Sequence, residues 1–448
     1  MAKENCWNCS NPDLRRREFI RVGSLSLLGI SLPQLLRFQE AMAGADRQKT
    51  KATAQSCILF FLEGGPSQVD TWDPKPNSSF KPISTNVPGI QISGLLPSVA
   101  KHMDKLAVIR SMHSQEPNHL QAMQYILTGH RPSTVMGFPS FGSIIFKEVG
   151  PRNAVPPHVL IQPQWKSYTQ YERYFQADFV GAEYNPMMVS DPSQDNFTVA
   201  DLTLPKSISV DRIEHRRSFL KVWDQLHREK LQLAENSELD SFTQQALNMV
   251  LTPAVRDAFD LSKEADKTRE AYGRDSIGQS LLLARRLVEA GSRFVTAAGY
   301  KPYQWDTHGQ NDDLHKKTLV PPMDRALSAL LDDLDQRGLL SSTIVLVMGE
   351  FGRVPHYQNN NGGRDHWIDA WSMALGGGGI RGGQVIGATN ETGAEVVQRP
   401  LSPGDLFATI YKAFGIDWTK EYMHPVGRPI KIANSKDDKT GAPIKELL

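Results

Sequence analysis

The sequence predicts an α/β protein, a three-layer α/β/α sandwich with a largely parallel central sheet. The run Ser56-Cys57-Ile58-Leu59-Phe60-Phe61-Leu62 has strand length and almost no polar residue, as a strand buried on both faces reads. The C-terminal half alternates helical and strand-length apolar segments, the order that builds a parallel sheet covered on both sides. Carboxylates, imidazoles and guanidiniums cluster just after these strands, at the sheet edge where open α/β folds place their ligands.

The first strand ends at Glu63-Gly64-Gly65-Pro66-Ser67, a turn whose backbone amides suit an anion but which has no Walker or dinucleotide pattern. Ser67 there is a candidate hydroxyl nucleophile, and Asp70 and Asp73 read as capping and turn residues or as ligands of a peripheral cation. Leu95 to Leu106 fits a helix, and Leu106-Ala107-Val108-Ile109 a short strand. Asn118 is a suitable N-cap for a helix over Leu120 to Leu127, which Thr128-Gly129-His130-Arg131-Pro132 ends. Pro151 to Pro205 reads as loops with short strands, and Arg212 to about Lys267 as a charged helical segment. Together they suggest an insertion or lid at about 151–267 within a single domain over 56–448. Ile277 to Ala290 is amphipathic, stops at Gly291, and leads into the strand Arg293 to Ala298. Met323, Ala326, Leu327, Leu330, Leu331 and Leu334 recur at helical spacing before Gly338, and the strand Thr343 to Met348 follows. Asp306 and Glu350 both come after strand C-termini and should share one edge of the sheet.

Residues 1–43 read as an export signal. Arg15-Arg16-Arg17-Glu18-Phe19-Ile20-Arg21 precedes a short apolar stretch, Val22 to Leu36, and then Ala41-Met42-Ala43-Gly44. The paired arginines before Phe-Ile are of twin-arginine type, and the apolar stretch is short for a bilayer span. The alternative is a basic amphipathic anchor that stays attached. Residues 44–55 form a linker. The expected location is periplasmic or extracellular, with no membrane span after cleavage. Cys6 and Cys9 would leave with the signal, and Cys57 would remain as a buried packing residue.

The 448-residue chain is 40% hydrophobic and 22% charged, ordinary for a globular protein. Its net charge of +1 gives no basis for nucleic-acid or anionic-membrane binding, so anion recognition must be local. Three motifs carry the chemistry: Trp305-Asp306-Thr307-His308-Gly309, Gly349-Glu350-Phe351-Gly352-Arg353 and Gly363-Arg364-Asp365-His366-Trp367. Asp306, His308, Glu350, Asp365 and His366 offer oxygen and nitrogen ligands for a divalent metal, zinc or manganese, or calcium if carboxylates dominate. Arg353 and Arg364 are candidates to clamp a substrate anion, although Glu350 and Arg353 could equally pair with each other. Trp72, Trp305, Trp367 and Trp371 lie near these motifs and suit core packing or stacking on sugar rings.

The stretch Phe61-Leu62-Glu63-Gly64-Gly65-Pro66-Ser67-Gln68-Val69-Asp70-Thr71-Trp72-Asp73-Pro74-Lys75-Pro76, the arginine-rich leader, Gly349-Glu350-Phe351-Gly352-Arg353 and Arg364-Asp365-His366-Trp367 together resemble the DUF1501 family. The resemblance implies an exported bacterial protein of planctomycete type and a fold similar to the alkaline phosphatase and sulfatase superfamily. It implies that Glu63 stands at a metal-ligand position after the first strand. It also implies that His119, preceded by Asn118, stands at the catalytic position that superfamily members fill with Ser, Thr or Cys. His119 is then a candidate general base, nitrogen nucleophile, metal ligand or hydrogen-bonding group. The expected function is metal-dependent hydrolysis of sulfate or phosphate esters, with saccharide esters or polysaccharides as candidate substrates. The alternative is a non-catalytic periplasmic protein that binds anions or glycans and has lost the usual nucleophile.

Overall fold

A computed structural model describes residues 51–162, 173–195, 197–199, 202, 218, 248–435 and 439–448. The expected export signal, the start of the expected linker and most of the charged segment from Arg212 lie outside the described residues.

Eight strands form the central sheet: β1 (Ser56–Phe61), β2 (Leu106–Met112), β3 (His158–Ile161), β4 (Met187–Val189), β5 (Phe294–Ala297), β6 (Thr343–Met348), β7 (Trp371–Gly376) and β8 (Gln384–Ile386). Their spatial order is β8-β2-β7-β6-β1-β5-β3-β4. β1 pairs in parallel with β5 and β6, so Leu59 lies opposite Thr296 on one side and Leu346 on the other. β7 runs against both β2 and β6, and the remaining pairs are parallel. The sheet is therefore largely parallel, as expected. Strands β3 and β4 come from the stretch read as loops with short strands and complete one edge.

Alternation along β1 divides the core into two layers. Ile58, Phe60 and Leu62 pack on one face with α3 (Ser276–Ala290) and α4 (Val320–Gln336). Cys57, Leu59 and Phe61 pack on the other with α1 (His119–Thr128), α2 (Phe141–Val149) and α5 (Pro403–Ala413). Both sets are fully buried because helices cover each side, which is why the strand reads as an unbroken apolar run. The apolar stripe of α4, Met323 to Leu334, is buried at the expected positions. Asp275 caps α3 by accepting from Gly278 N–H at 2.9 Å, and Gly291 ends it.

Two local expectations change. Leu95 to Leu106 contains only the 3₁₀ turn Val99–His102. Leu96, Val99, Ala100 and Met103 are buried at helical spacing, which explains the sequence signal. The segment is fixed instead by Asp324 of α4, which accepts from Val99 N–H at 2.8 Å, and by a reversal in which Lys105 N–H reaches His102 O at 3.0 Å. Asn118 does occupy the N-cap of α1, in extended conformation, but its side chain makes no capping hydrogen bond.

Because β1, β5 and β6 are parallel, their C-termini deliver Glu63, the Trp305–His308 loop and Glu350 to one edge. A two-stranded antiparallel sheet, Gly352–Arg353 with His366–Trp367, places His366 opposite Arg353. Gly64 lets the loops close: its φ is +113°, and a Cβ there would sit 2.6 Å from Asp306 N. Gly363 is needed for close approach too, since a Cβ would lie 1.8 Å from the His308 carbonyl oxygen.

Candidate metal centre

Three imidazoles surround the Asp306 carboxylate. His119 Nε2 lies 3.3 Å from Asp306 Oδ2, and His308 Nε2 and His366 Nε2 lie 3.1 and 3.3 Å from Oδ1. On each ring the other nitrogen faces an oxygen that can only accept. His119 Nδ1 is 2.6 Å from Glu350 Oε1, His308 Nδ1 is 2.6 Å from Asp365 Oδ1, and His366 Nδ1 is 2.6 Å from Pro117 O. A carboxylate or carbonyl on Nδ1 fixes the proton there and turns the Nε2 lone pair inward. This is the arrangement that orients metal-ligating histidines.

The electrostatics of the group favour a cation. His308 Nε2 and His366 Nε2 are 3.1 Å apart, so their lone pairs repel unless a proton or cation lies between them. His119 Nε2 is buried and makes no hydrogen bond. Burial would lower the His119 imidazole, but Asp306 and Glu350 outweigh it and raise it to about 9. Burial would raise the Asp306 carboxyl, yet His119, His366 and Arg353 hold it well below the usual range. His119, Asp306 and His366 each offer a ligand atom within 4.8 Å of the others. The donor set and the orphaned nitrogen fit a divalent metal, with His308 beside the trio as a further donor.

The expected site residues divide into distinct roles. His119, Asp306, His308 and His366 converge. Glu350 and Asp365 stand behind them, each holding a ring nitrogen, and Glu350 also accepts from Gly64 N–H at 3.0 and 3.1 Å. Glu63 is 1% exposed and its carboxyl oxygens make no well-formed hydrogen bond. Burial, then the charge of Glu350, push it up to about 8 against the opposing pull of the Tyr303 backbone and His119. Asn118 is exposed beside His119. His119, expected as a catalytic group or a ligand, lies in this trio.

The two arginines expected as an anion clamp are both 0% exposed. Arg353 donates to the carbonyls of Gly64, Gly65 and Arg364 and to Asp306 Oδ1 at 2.5 Å. Arg364 pairs with Asp70 at 3.0 Å and donates to Val354 O at 3.2 Å. Their guanidiniums hold the loops together, and Glu350 pairs with His119 rather than Arg353. Ser67 is likewise spent, donating to Asp70 Oδ2 at 2.6 Å in a buried network that Asn311 joins at 2.9 Å. Asp73 is buried and accepts from Thr389 at 2.5 Å. Trp72, Trp305 and Trp371 are core residues, at most 1% exposed, and Trp367 is half-buried with its indole N–H on Ala394 O.

Sequence reasoning missed Pro117, whose contribution is a backbone carbonyl, and Tyr303, whose ring lies 4.6 Å from that of His119. Tyr303 and Gln310 have φ of 55° and 53° and bracket the Trp305–His308 loop, a strained setting that marks functional loops. A tyrosine gives no sequence signal for that conformation.

Among the described residues no helix is long and apolar enough to cross a membrane. No curated protein matches the chain in sequence. Among solved structures it is similar to the lipoteichoic acid synthase LtaP from Listeria monocytogenes, at 10% identity and a TM-score of 0.41 over 87% of this chain and 78% of that one. It is similar to the C-terminal periplasmic domain of EcEptC from Escherichia coli in complex with Zn, at 10% identity and a TM-score of 0.40 over 90% and 93%. A third similarity is to a protein in the alkaline phosphatase superfamily from Vibrio parahaemolyticus, at 12% identity and a TM-score of 0.40 over 82% and 68%. Residues 54–448 match the family described as "Protein of unknown function (DUF1501)", and the chain belongs to that family.

Proposed function

We propose that the protein is an exported metal-dependent hydrolase of sulfate or phosphate esters. One observation carries the reading: three histidines with anchored Nδ1 atoms aim Nε2 at one carboxylate, Asp306. His119, Asp306 and His366 would hold the ion, with His308 as the fourth donor. The imidazole-rich set favours zinc or manganese over calcium. A divalent cation there supplies Lewis acidity toward an ester oxygen. Glu350, fixed by Gly64 N–H, holds the proton on His119 Nδ1, and Asp365 does the same for the half-exposed His308. Arg353 neutralises Asp306 from behind and locks its loop to the turn after β1.

A second reading, a periplasmic anion- or glycan-binding protein without turnover, is favoured by the nucleophile position. His119 replaces the hydroxyl or thiol, and Ser67 is bonded to Asp70. The test is hydrolysis of 4-nitrophenyl sulfate, 4-nitrophenyl phosphate and their sugar-ester counterparts by metal-loaded protein. Turnover that a chelator abolishes, zinc or manganese restores and His366→Ala lacks supports the hydrolase. Bound metal with no turnover of any ester leaves the binding protein.

A further inference from the structure

His119 needs more than its hydrogen bond to aim at Asp306. Glu350 holds Nδ1 at 2.6 Å, but a ring held at one atom can still turn and carry Nε2 off the carboxylate. Nε2 itself makes no hydrogen bond. Packing is left to fix the plane. The ring meets Tyr303, Phe351 and His366 at 4.6, 5.1 and 4.4 Å between centroids. Phe351 is fully buried, and His366 belongs to the trio itself. Tyr303 is half-buried and comes from the loop that carries Asp306.

The backbone at Tyr303 asks for a different residue. Gln304 N–H donates to Lys301 O at 3.0 Å, closing a turn with Pro302 second and Tyr303 third. Proline second and a positive φ third is the type II pattern, in which glycine normally takes the third place. Tyr303 holds a φ of 55° there, a costly conformation for a bulky side chain. The conformation serves the site. The Tyr303 carbonyl accepts from Asp306 N–H at 2.9 Å, while its own N–H faces the buried Glu63 carboxyl. Glycine would make both backbone contacts without strain, and would lack only the ring on His119.

We propose that Tyr303 is a positioning residue of the metal centre. Its ring sets the plane of His119 so that Nε2 points at the ion beside Asp306, and the strained turn is kept to hold that ring in place. The proposal rests on the metal-binding part of the hydrolase reading and not on ester turnover.

The test measures zinc affinity by chelator competition, and the thermal midpoint of the metal-free protein, in wild type, Tyr303→Phe, Tyr303→Gly and Tyr303→Ala. Tyr303→Phe should keep zinc affinity within about twofold. Tyr303→Gly and Tyr303→Ala should each weaken it about tenfold. Tyr303→Gly should nevertheless melt above Tyr303→Ala, because glycine alone relieves the turn. A residue that only supported the fold would not separate affinity from stability in this way. Wild-type zinc affinity in Tyr303→Gly, or a Tyr303→Gly midpoint below that of Tyr303→Ala, would overturn the proposal. So would an equal loss of affinity in Tyr303→Phe, which would assign the effect to the hydroxyl. A wild type that takes up no zinc would overturn the proposal and the hydrolase reading together. The expected losses in a protein that turns over no ester would support the proposal and sink the hydrolase reading alone.

Discussion

Glu350→Gln separates a metal centre from a chance cluster of polar residues. Glu350 is 0% exposed and serves two donors: Gly64 N–H, at 3.0 and 3.1 Å to its two oxygens, and His119 Nδ1–H at 2.6 Å. Glutamine has nearly the same shape but only one accepting atom. With its carbonyl in the Oε1 place it can still accept from both, but its NH₂ then stands in the Oε2 place against Gly64 N–H and the negative charge is gone, a loss of about 1–3 kcal/mol. That loss is small enough for the fold to survive. The larger effect falls on the ring, whose orienting partner becomes a neutral amide. Mutation of such a partner weakens metal affinity about 10- to 100-fold, or about 1.4–2.8 kcal/mol. Chelator competition with zinc, beside urea unfolding of the metal-free protein, measures both quantities. Zinc affinity unchanged within about twofold in a folded variant would refute the reasoning.

Other predictions address the scaffold. Arg353→Met removes one partner of a buried ion pair and should cost about 3–5 kcal/mol by urea unfolding; a substrate clamp would show lost ester binding with unchanged stability. Gly64→Ala forces a Cβ against Asp306 N at a φ of +113° and should weaken chelator-resistant metal binding more than it lowers the thermal midpoint. Burial holds the His158 imidazole down at about 4, the Tyr184 carbonyl only partly opposing it. The unfolded chain takes up this proton near pH 6.5, so the contribution is full above that value and fades as pH falls toward 4. Between pH 7.5 and 4.5, His158→Phe should therefore lose about 2–3 kcal/mol less stability than the wild type, measured by urea midpoints.

Where local chemistry sets the structure, the sequence carries it openly. After Ser56 and Thr343, β1 and β6 are apolar because both of their faces are covered, and α4 shows its buried stripe along its length. Leu95 to Leu106 misleads because burial at helical spacing does not require a helix: Asp324, more than two hundred residues away, fixes that backbone. The same separation limits the site. Asp306, His308 and His366 are visible as ligand types, but their inward aim depends on Pro117, Glu350 and Asp365 meeting the rings from other loops. Arg353 and Arg364 look like substrate groups in the sequence. They become scaffold because the carbonyls of Gly64, Gly65 and Val354 are turned toward a buried space and need donors.

Elemental analysis of the protein purified without added metal, beside Asp306→Ala and His366→Ala, tests the central claim most directly. The geometry predicts stoichiometric zinc or manganese in the wild type and its loss from both variants while their far-ultraviolet dichroism is unchanged. A wild type that carries no metal and takes up none on titration would contradict it.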